Sequence, residues 1–319
     1  MAELPRALIV AGPTCSGKSA LALALAEATG GVVINADSMQ VYRELRILTA
    51  RPSADDEARI PHRLYGVRAA AEPGSVAWWR AAALAEMAMA HAAGRLPILC
   101  GGTGMYFLGL TSGLSDIPDP GSAARREARE TLAALGPAAL HAQVADVDPD
   151  SAARLHPSDG QRIARAWEVW RGTGRGLAAW QAQSRPPSGW DFRAILLDPP
   201  RAALREAIAG RFDAMLAAGA IDEVRALLDQ RLDPSLPAMR AVGVAELAAC
   251  LSGAASLAAA AERATLASAQ YTKRQATWFH RHVLAAPTAT HTIHARITGL
   301  AQFSQRNWED LIKFVQGPG

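Results

Sequence analysis

Lysine is nearly absent from this chain of 319 residues, standing only at Lys18, Lys273 and Lys313 although Lys and Arg together number 33. Arginine therefore carries almost all of the positive charge, a bias that accompanies heavy alanine use and by itself names no partner. Cysteine is equally sparse. Cys15, Cys100 and Cys250 lie far apart and form no C-x-x-C pair, which argues against a disulfide framework or a zinc site. No apolar run approaches the roughly 18–20 residues of a membrane span. The opening MAELPRALIV has no basic start, long apolar stretch or small-residue cleavage site, so no secretory signal is read there. A cytoplasmic, monomeric protein without membrane contact is expected. Net charge is small as well: 33 basic against 30 acidic residues leaves +3, too mild to announce a nucleic-acid binder from the total alone. Disorder is excluded by a chain that is 50% hydrophobic and 20% charged.

What is present alternates. ALIVA at 7–11 reads as a buried parallel strand, KSALALALAEA at 18–28 as a helix, VVINA at 32–36 as a second strand, 76–93 as a helix, and LPILC at 96–100 as a third strand. Strands alternating with helices imply an α/β fold, and ligands in such sheets bind at the carboxyl ends of the strands. DIPDPGS near 116 and RPPSGW at 185–190 are breaks. Mostly helical segments lie between them, and FRAILLD at 192–198 returns to strand. The expected organisation is a P-loop NTPase-like parallel sheet core (1–118 and 191–285) carrying a mostly helical insertion at 119–190. Helices are expected at 201–218, 221–231, 241–252 and 256–283. Beyond Pro287 the chain reads as a loosely attached tail, 286–319, with one short helix.

Gly12-Pro13-Thr14-Cys15-Ser16-Gly17-Lys18-Ser19 matches G-x-x-x-x-G-K-S/T with a strand before it and a helix after. Glycines let consecutive N–H groups turn inward around an anion, and the following helix points its positive dipole end at the same place. Lys18 adds a mobile cation, and the Ser19 hydroxyl is a hard oxygen suited to Mg²⁺. The loop specifies a di- or triphosphate but not whose. An apolar strand ending in an acid that would support NTP hydrolysis is not evident, because LPILCGGTG ends in glycines and Thr103. A phosphate cradle without hydrolytic machinery favours phosphate transfer, or diphosphate as a leaving group. Asp37, at the mouth of the second strand, has two readings: a general base beside the phosphate site, or the N-cap of the next helix.

Several segments then resemble one family in its order: GPTCSGKSALAL, NADSMQVYRELRILTARPS, PHRLYGV, LPILCGGTGMYFLGLTSGL, VDPDSAARLHPSDGQRIARAWEV, RFDAMLAAGAIDEVRALL and YTKRQATWF. Over about residues 6–283 the chain is similar to bacterial tRNA dimethylallyltransferases, the tRNA isopentenyltransferase family. The resemblance implies transfer of a dimethylallyl group from dimethylallyl diphosphate to N6 of the adenosine next to the anticodon (position 37) in tRNA, with diphosphate released and Mg²⁺ as cofactor. It implies that Lys18, Ser19 and Arg211 hold the diphosphate, that Asp37 accepts a proton or hydrogen bond from the N6 amine, and that Thr103 sits where adenine and prenyl donor meet. No consumption of ATP follows from the loop.

The same resemblance implies contacts to the tRNA anticodon stem-loop. They run through Asp37, Ser38, Met39, Gln40 and Thr103, through Arg125, and through Gln161, Arg162, Ile163, Ala164 and Arg165. Arg240, Ala241, Val242, Gly243, Val244 and Ala245 form a third group. The last comprises Lys273, Arg274, Gln275, Ala276, Thr277, Trp278, Phe279 and His280. Only this last group combines charge with stackable rings, as RNA binding favours. Two positions depart from the family pattern: Ala269 stands where an arginine is common, and Val244 where an aromatic is usual. Both bear on tRNA contacts rather than on the phosphate loop. Cys15 within the loop implies thiol sensitivity. The competing readings are a P-loop small-molecule kinase with a lid, an isopentenyltransferase acting on free adenine nucleotide, and a non-catalytic RNA-binding module that leaves the phosphate loop unexplained.

Overall fold

The structure, a computed structural model, describes residues 4–183 and 188–317. Part of the RPPSGW break therefore lies outside the described residues. The chain divides into two compact units, one formed by 1–111 and 187–319, the other by 112–186.

In the first unit the chain alternates strand and helix: β1 (Arg6–Ala11), α1 (Lys18–Thr29), β2 (Val32–Asn35), α2 (Ala54–Arg59), β3 (His62–Arg63), α3 (Val76–Ala92), β4 (Pro97–Gly101) and α4 (Gly104–Thr111). The second unit is helical among its described residues, with α5 (Gly121–Val147), α6 (Pro149–Ala152), α7 (Gly160–Thr173) and α8 (Leu177–Gln181). The chain then returns through β5 (Asp191–Leu197), α9 (Arg201–Ala217), α10 (Ala220–Asp229), α11 (Val244–Leu251), α12 (Leu257–Arg281), β6 (Thr290–Ile293) and α13 (Gln305–Gln316).

The strands form one sheet in the order β3-β2-β4-β1-β5-β6, and every pairing is parallel. β1 is central, with Leu8 opposite Ile98 on one side and opposite Arg193 on the other. Its residues Ala7 to Ala11 are at most 2% exposed, which explains a continuous apolar run instead of alternation. One face packs Ile9, Ile34 and Leu99 on Trp79, Met87 and Phe107. The other packs Leu8, Val10, Ile98 and Ile195 on Leu21 and Leu25 of α1. The second unit has its own core of Leu140, Val144, Ile163, Ala166 and Val169. In that unit the buried Asp148 carboxylate accepts from Ser151 N–H at 3.2 Å and Leu177 N–H at 2.7 Å, joining α6 to α8.

The expectation of a loosely attached tail is corrected here. β6 continues the sheet beside β5, with Ile195 opposite His291. α13 buries Leu311 and Val315 in the core shared with α1, a spacing of i, i+4 on one helical face. Its last carbonyls are held by arginines of the sheet: Arg6 Nη1 donates to Gln316 O at 2.6 Å, and Arg193 Nη1 donates to Phe314 O. Cations at a helix C-terminus satisfy the unpaired carbonyls there. β6 escaped sequence reading because an edge strand of the type THTI, half-exposed along its length, carries no apolar pattern.

Candidate active site

Three strand ends meet beside α1. β1 leads into the loop 12–17, where Cys15 and Gly17 adopt positive φ of 65° and 90°. At Gly17 a Cβ would lie 2.0 Å from the Ile297 carbonyl oxygen, so glycine is required by both backbone and space. The loop closes with Ser16 N–H donating to Pro13 O at 3.2 Å, and α1 begins with Leu21 N–H donating to Gly17 O at 3.1 Å. Lys18 Nζ reaches Pro13 O at 3.4 Å, folded back over the loop.

β2 delivers Asp37. Buried Asn35 fixes its backbone on two sides: Asn35 Oδ1 accepts from Asp37 N–H at 2.8 Å, and Asn35 Nδ2 donates to Asp37 O at 3.0 Å and Leu64 O at 3.1 Å. One Asp37 carboxylate oxygen accepts from Met39 N–H at 2.9 Å. This is the capping reading in modified form, since the residues after Asp37 form a turn and no helix starts until Ala54. β4 delivers Thr103, whose hydroxyl accepts from Ser38 N–H at 2.9 Å and donates to Ser38 Oγ at 3.3 Å. Thr103 thus ties the β2 and β4 ends together. Gly101 lacks room for a Cβ, which would lie 2.1 Å from Ala36 O.

α12 crosses these strand ends and locks them. Gln275, 5% exposed, accepts from Thr14 N–H at 2.9 Å and Thr14 Oγ1 at 3.0 Å, and donates to Gly102 O at 3.0 Å. It therefore joins the phosphate loop to the β4 turn. Tyr271, one helical turn earlier, has its phenol pushed well above the ordinary value, first by burial and then by the Asp37 charge, against hydrogen bonds to Thr103 and Gln275.

A cavity of ≈ 460 Å³ opens in front of these residues, lined by Thr14, Cys15, Gly17, Lys18, Ser19, Asp37, Met39, Gln40, Thr49, Arg211, Val242, Tyr271 and Arg296 among others. Arg211, from α9, places Nη1 3.7 Å from Cys15 Sγ and donates through Nη2 to Thr49 O at 3.5 Å. Three cations and a single carboxylate face this space. Burial pulls the Lys18 ammonium below its usual value, with the Asp37 charge opposing the shift. An anion in the cavity reverses that penalty. Cys100, behind the loop, is pushed up to about 11 by burial.

The loop 40–53 that forms one wall is ordered by a carboxylate that sequence reading did not single out. Glu223 of α10 accepts from the N–H groups of Arg46 and Ile47, each at 2.7 Å, and of Leu48 at 2.9 Å. Gln40 braces the same loop from inside by donating to Thr49 O at 2.8 Å and Ala50 O at 3.1 Å.

The remaining candidate positions separate by burial. On α12, Lys273, Arg274 and His280 are exposed, whereas Gln275 and Phe279 are buried and Ala276, Thr277 and Trp278 are half-buried. Trp278 stacks on His282 at 4.0 Å and 5°, and His280 Nε2 lies 2.9 Å from Asp198 Oδ1. Arg240 and Ala245 are exposed, while Ala241, Gly243 and Val244 are packed inside, Val244 in the core with Leu247. In the second unit Gln161 and Arg162 are exposed, Ala164 half-buried and Ile163 fully buried. Arg125 pairs with Asp119 at 2.7 Å, Arg162 with Asp159 at 3.3 Å, and Arg165 with Glu168. Ile163, Ala241, Val244, Gln275 and Phe279 thus present little side-chain surface to a nucleic acid, and Gln275 has a different duty. Nothing periodic in the sequence marks that duty, because its partner Thr14 lies 261 positions away.

Among the described residues, no helix is long and apolar enough to cross a membrane. The sequence profile of a family described as "IPP transferase" matches residues 40–282. A curated tRNA dimethylallyltransferase of Granulibacter bethesdensis is 61% identical over 98% of this chain and 98% of its own length. Another, of Gluconacetobacter diazotrophicus, is 61% identical over 97% of this chain and 93% of its own length. Among solved structures, the full-length tRNA isopentenylpyrophosphate transferase of Bacillus halodurans superposes with a TM-score of 0.68 at 29% identity, covering 98% of this chain and 96% of that one. A eukaryotic dimethylallyltransferase solved acting on tRNA shares the fold, with a TM-score of 0.78 at 24% identity over 98% of this chain and 80% of that one.

Proposed function

The chain belongs to the IPP transferase family, and on that premise we propose that it transfers a dimethylallyl group from dimethylallyl diphosphate to N6 of the adenosine next to the anticodon in tRNA. The observation that carries this reading is a single cavity in which the phosphate-loop residues, Arg211 and Asp37 all face one space. A small-molecule kinase and an isopentenyltransferase for free nucleotide are both disfavoured by the named relatives, which act on tRNA.

The diphosphate is held by the loop N–H groups, the α1 N-terminus, Lys18 and Arg211. These groups are arranged before substrate arrives, so they stabilise charge as it develops on the leaving group without reorganising. As the N6–carbon bond forms, the carbon–oxygen bond to diphosphate breaks and N6 gives up a proton. Asp37 accepts that proton or its hydrogen bond: one carboxylate oxygen is committed to Met39 N–H, which leaves the other for the amine. Thr103 and Tyr271 hold the surface beside it. An adenine can reach Asp37 only after leaving the anticodon-loop stack, which single-stranded RNA permits at small cost. The exposed Lys273 and Arg274, with Arg125, Arg162 and Arg165 on the second unit, supply phosphate-binding charge.

A divalent cation fits the donor set. Ser19 offers a hard oxygen to the cavity, Asp37 being committed to Met39 N–H and the amine, and no group of three or more His, Cys, Asp or Glu among the described residues would hold a metal alone. Few protein ligands plus phosphate oxygens suit Mg²⁺, which keeps several waters. Bound there, Mg²⁺ would neutralise charge on the departing diphosphate.

The reading is tested by coupled detection of released diphosphate. Release that requires both dimethylallyl diphosphate and unmodified tRNA is expected. Turnover of ATP with a small acceptor, or release with AMP in place of tRNA, would contradict it. A monomer acting in the cytoplasm completes the proposal, and gel filtration with light scattering reads the oligomeric state.

A further inference from the structure

The C-terminal segment does more than close the sheet. After β6 it runs directly over the phosphate loop: Ile297 N–H donates to Ser16 O at 2.9 Å, and Arg296 Nε donates to Cys15 O at 3.0 Å. Ile297 itself is 3% exposed, packed in the core with α1. The missing Cβ of Gly17 makes the approach possible, because that atom would stand 2.0 Å from Ile297 O. The turn is pinned from behind by Gln302, whose Nε2 donates to Arg296 O at 2.9 Å while its Oε1 accepts from Thr298 Oγ1 at 2.9 Å. Arg296 is thus fixed at its backbone carbonyl and at one guanidinium nitrogen.

Its guanidinium lines the same cavity as Lys18, Ser19 and Arg211. Cys15 is flanked by two guanidiniums, Arg211 at its sulfur and Arg296 at its carbonyl. Among the described residues no carboxylate pairs with either arginine. With Nε committed to the loop, the two terminal nitrogens of Arg296 remain, and a planar fork of N–H donors matches phosphate oxygens. The matched family profile ends at residue 282, short of this segment.

We propose that Arg296 is a third cationic ligand of the diphosphate, delivered by the C-terminal segment and working with Lys18 and Arg211. This rests on the function proposed above for the cavity. It gives the segment a direct part in binding the prenyl donor and the released product, through a residue that also fastens the loop's own backbone. Fixing the guanidinium in advance removes most of the entropy cost of using it, since little rotamer freedom is left to lose on binding.

The experiment uses the full chain and inorganic diphosphate as probe, measured by calorimetry in Mg²⁺ buffer. Arg296→Met keeps the apolar stem and removes the fork. It should weaken diphosphate binding roughly 10- to 100-fold and raise the KM for dimethylallyl diphosphate, leaving the KM for tRNA unchanged and lowering the melting temperature of the free protein only slightly, through the lost bond to Cys15 O. Arg296→Lys should recover part of the affinity. Should Arg296→Met not fold, Arg296→Gln is read the same way. Unaltered diphosphate affinity would overturn the proposal. So would an equal loss of tRNA binding with no recovery in the lysine variant, which marks a structural strap. Diphosphate binding needs no transfer, so absence of prenylation by the unaltered protein would sink the proposed function and leave this inference standing, and the converse holds.

Discussion

Replacing Gln275 by methionine separates two roles that its place in the sequence makes easy to confuse. Its neighbours Lys273 and Arg274 are exposed, and a helix face rich in cations invites the reading that Gln275 touches RNA as well. The side chain is instead 5% exposed and, besides its bond to the Tyr271 phenol, makes three hydrogen bonds to the loops at the strand ends, two accepted from Thr14 and one donated to Gly102 O. Methionine preserves length and approximate volume while removing all three. A buried hydrogen bond contributes about 1 kcal/mol net, and a stranded partner costs more. The expected loss of stability is therefore about 2–4 kcal/mol. Freed from α12, the loop at Thr14 shifts, and inorganic diphosphate should bind at least about tenfold more weakly, equivalent to about 1.4 kcal/mol. Thr14→Val removes the hydroxyl partner alone, so the double variant should lose less than the sum of the singles, as residues sharing a bond do. The salt dependence of tRNA binding should keep its slope, because no phosphate contact is lost. Thermal melting, calorimetry with diphosphate and tRNA titrations at several salt concentrations give the three readings. A normal diphosphate affinity together with a flattened salt slope would refute the reasoning and return Gln275 to the RNA interface.

Three further outcomes are expected. Asp37→Asn retains an oxygen for Met39 N–H but cannot take a proton, so single-turnover transfer should slow at least about 10²-fold with melting unchanged; full activity would reduce Asp37 to a turn residue. Burial lowers the Lys18 pKa and an anion raises it again, so the protonated form binds diphosphate better and affinity falls as pH rises through the lowered value. Comparison with Lys18→Arg, which does not titrate there, isolates the effect; a constant wild-type to Lys18→Arg affinity ratio across alkaline pH would contradict it. Arg274→Ala should weaken tRNA binding and reduce the salt slope by about 1, whereas an unchanged slope removes Arg274 from the interface.

The parts of the site that were legible in the sequence are those that local chemistry fixes. A glycine-rich loop between an apolar strand and an alanine-rich helix needs no distant residue to be recognised, and Gly12 to Ser19 sit as their spacing implies. The strands ALIVA, VVIN and PILC were visible because each is buried on both faces and so uninterrupted by polar residues. Helices 201–217, 220–229, 244–251 and 257–281 followed from composition and glycine punctuation. What stayed hidden depends on contacts distant in sequence. Glu223 caps a loop about 175 residues earlier, Gln275 reaches Thr14 across 261 positions, and Arg296 meets Cys15 across 281. None of these leaves a periodic trace. β6 was missed for the opposite reason: its pairing partner is the backbone of β5, and backbone pairing asks little of the side chains at a sheet edge.

The most direct test of the whole assignment is nucleoside mass spectrometry of unmodified tRNA incubated with the purified chain, Mg²⁺ and dimethylallyl diphosphate, followed by mapping of the altered nucleotide. One dimethylallyl group on N6 of the adenosine beside the anticodon, present with the unaltered protein and strongly reduced with Asp37→Asn, is the expected result. No prenylated adenosine alongside an active control enzyme, or prenylation that survives Asp37→Asn undiminished, would contradict the chemistry assigned to this cavity.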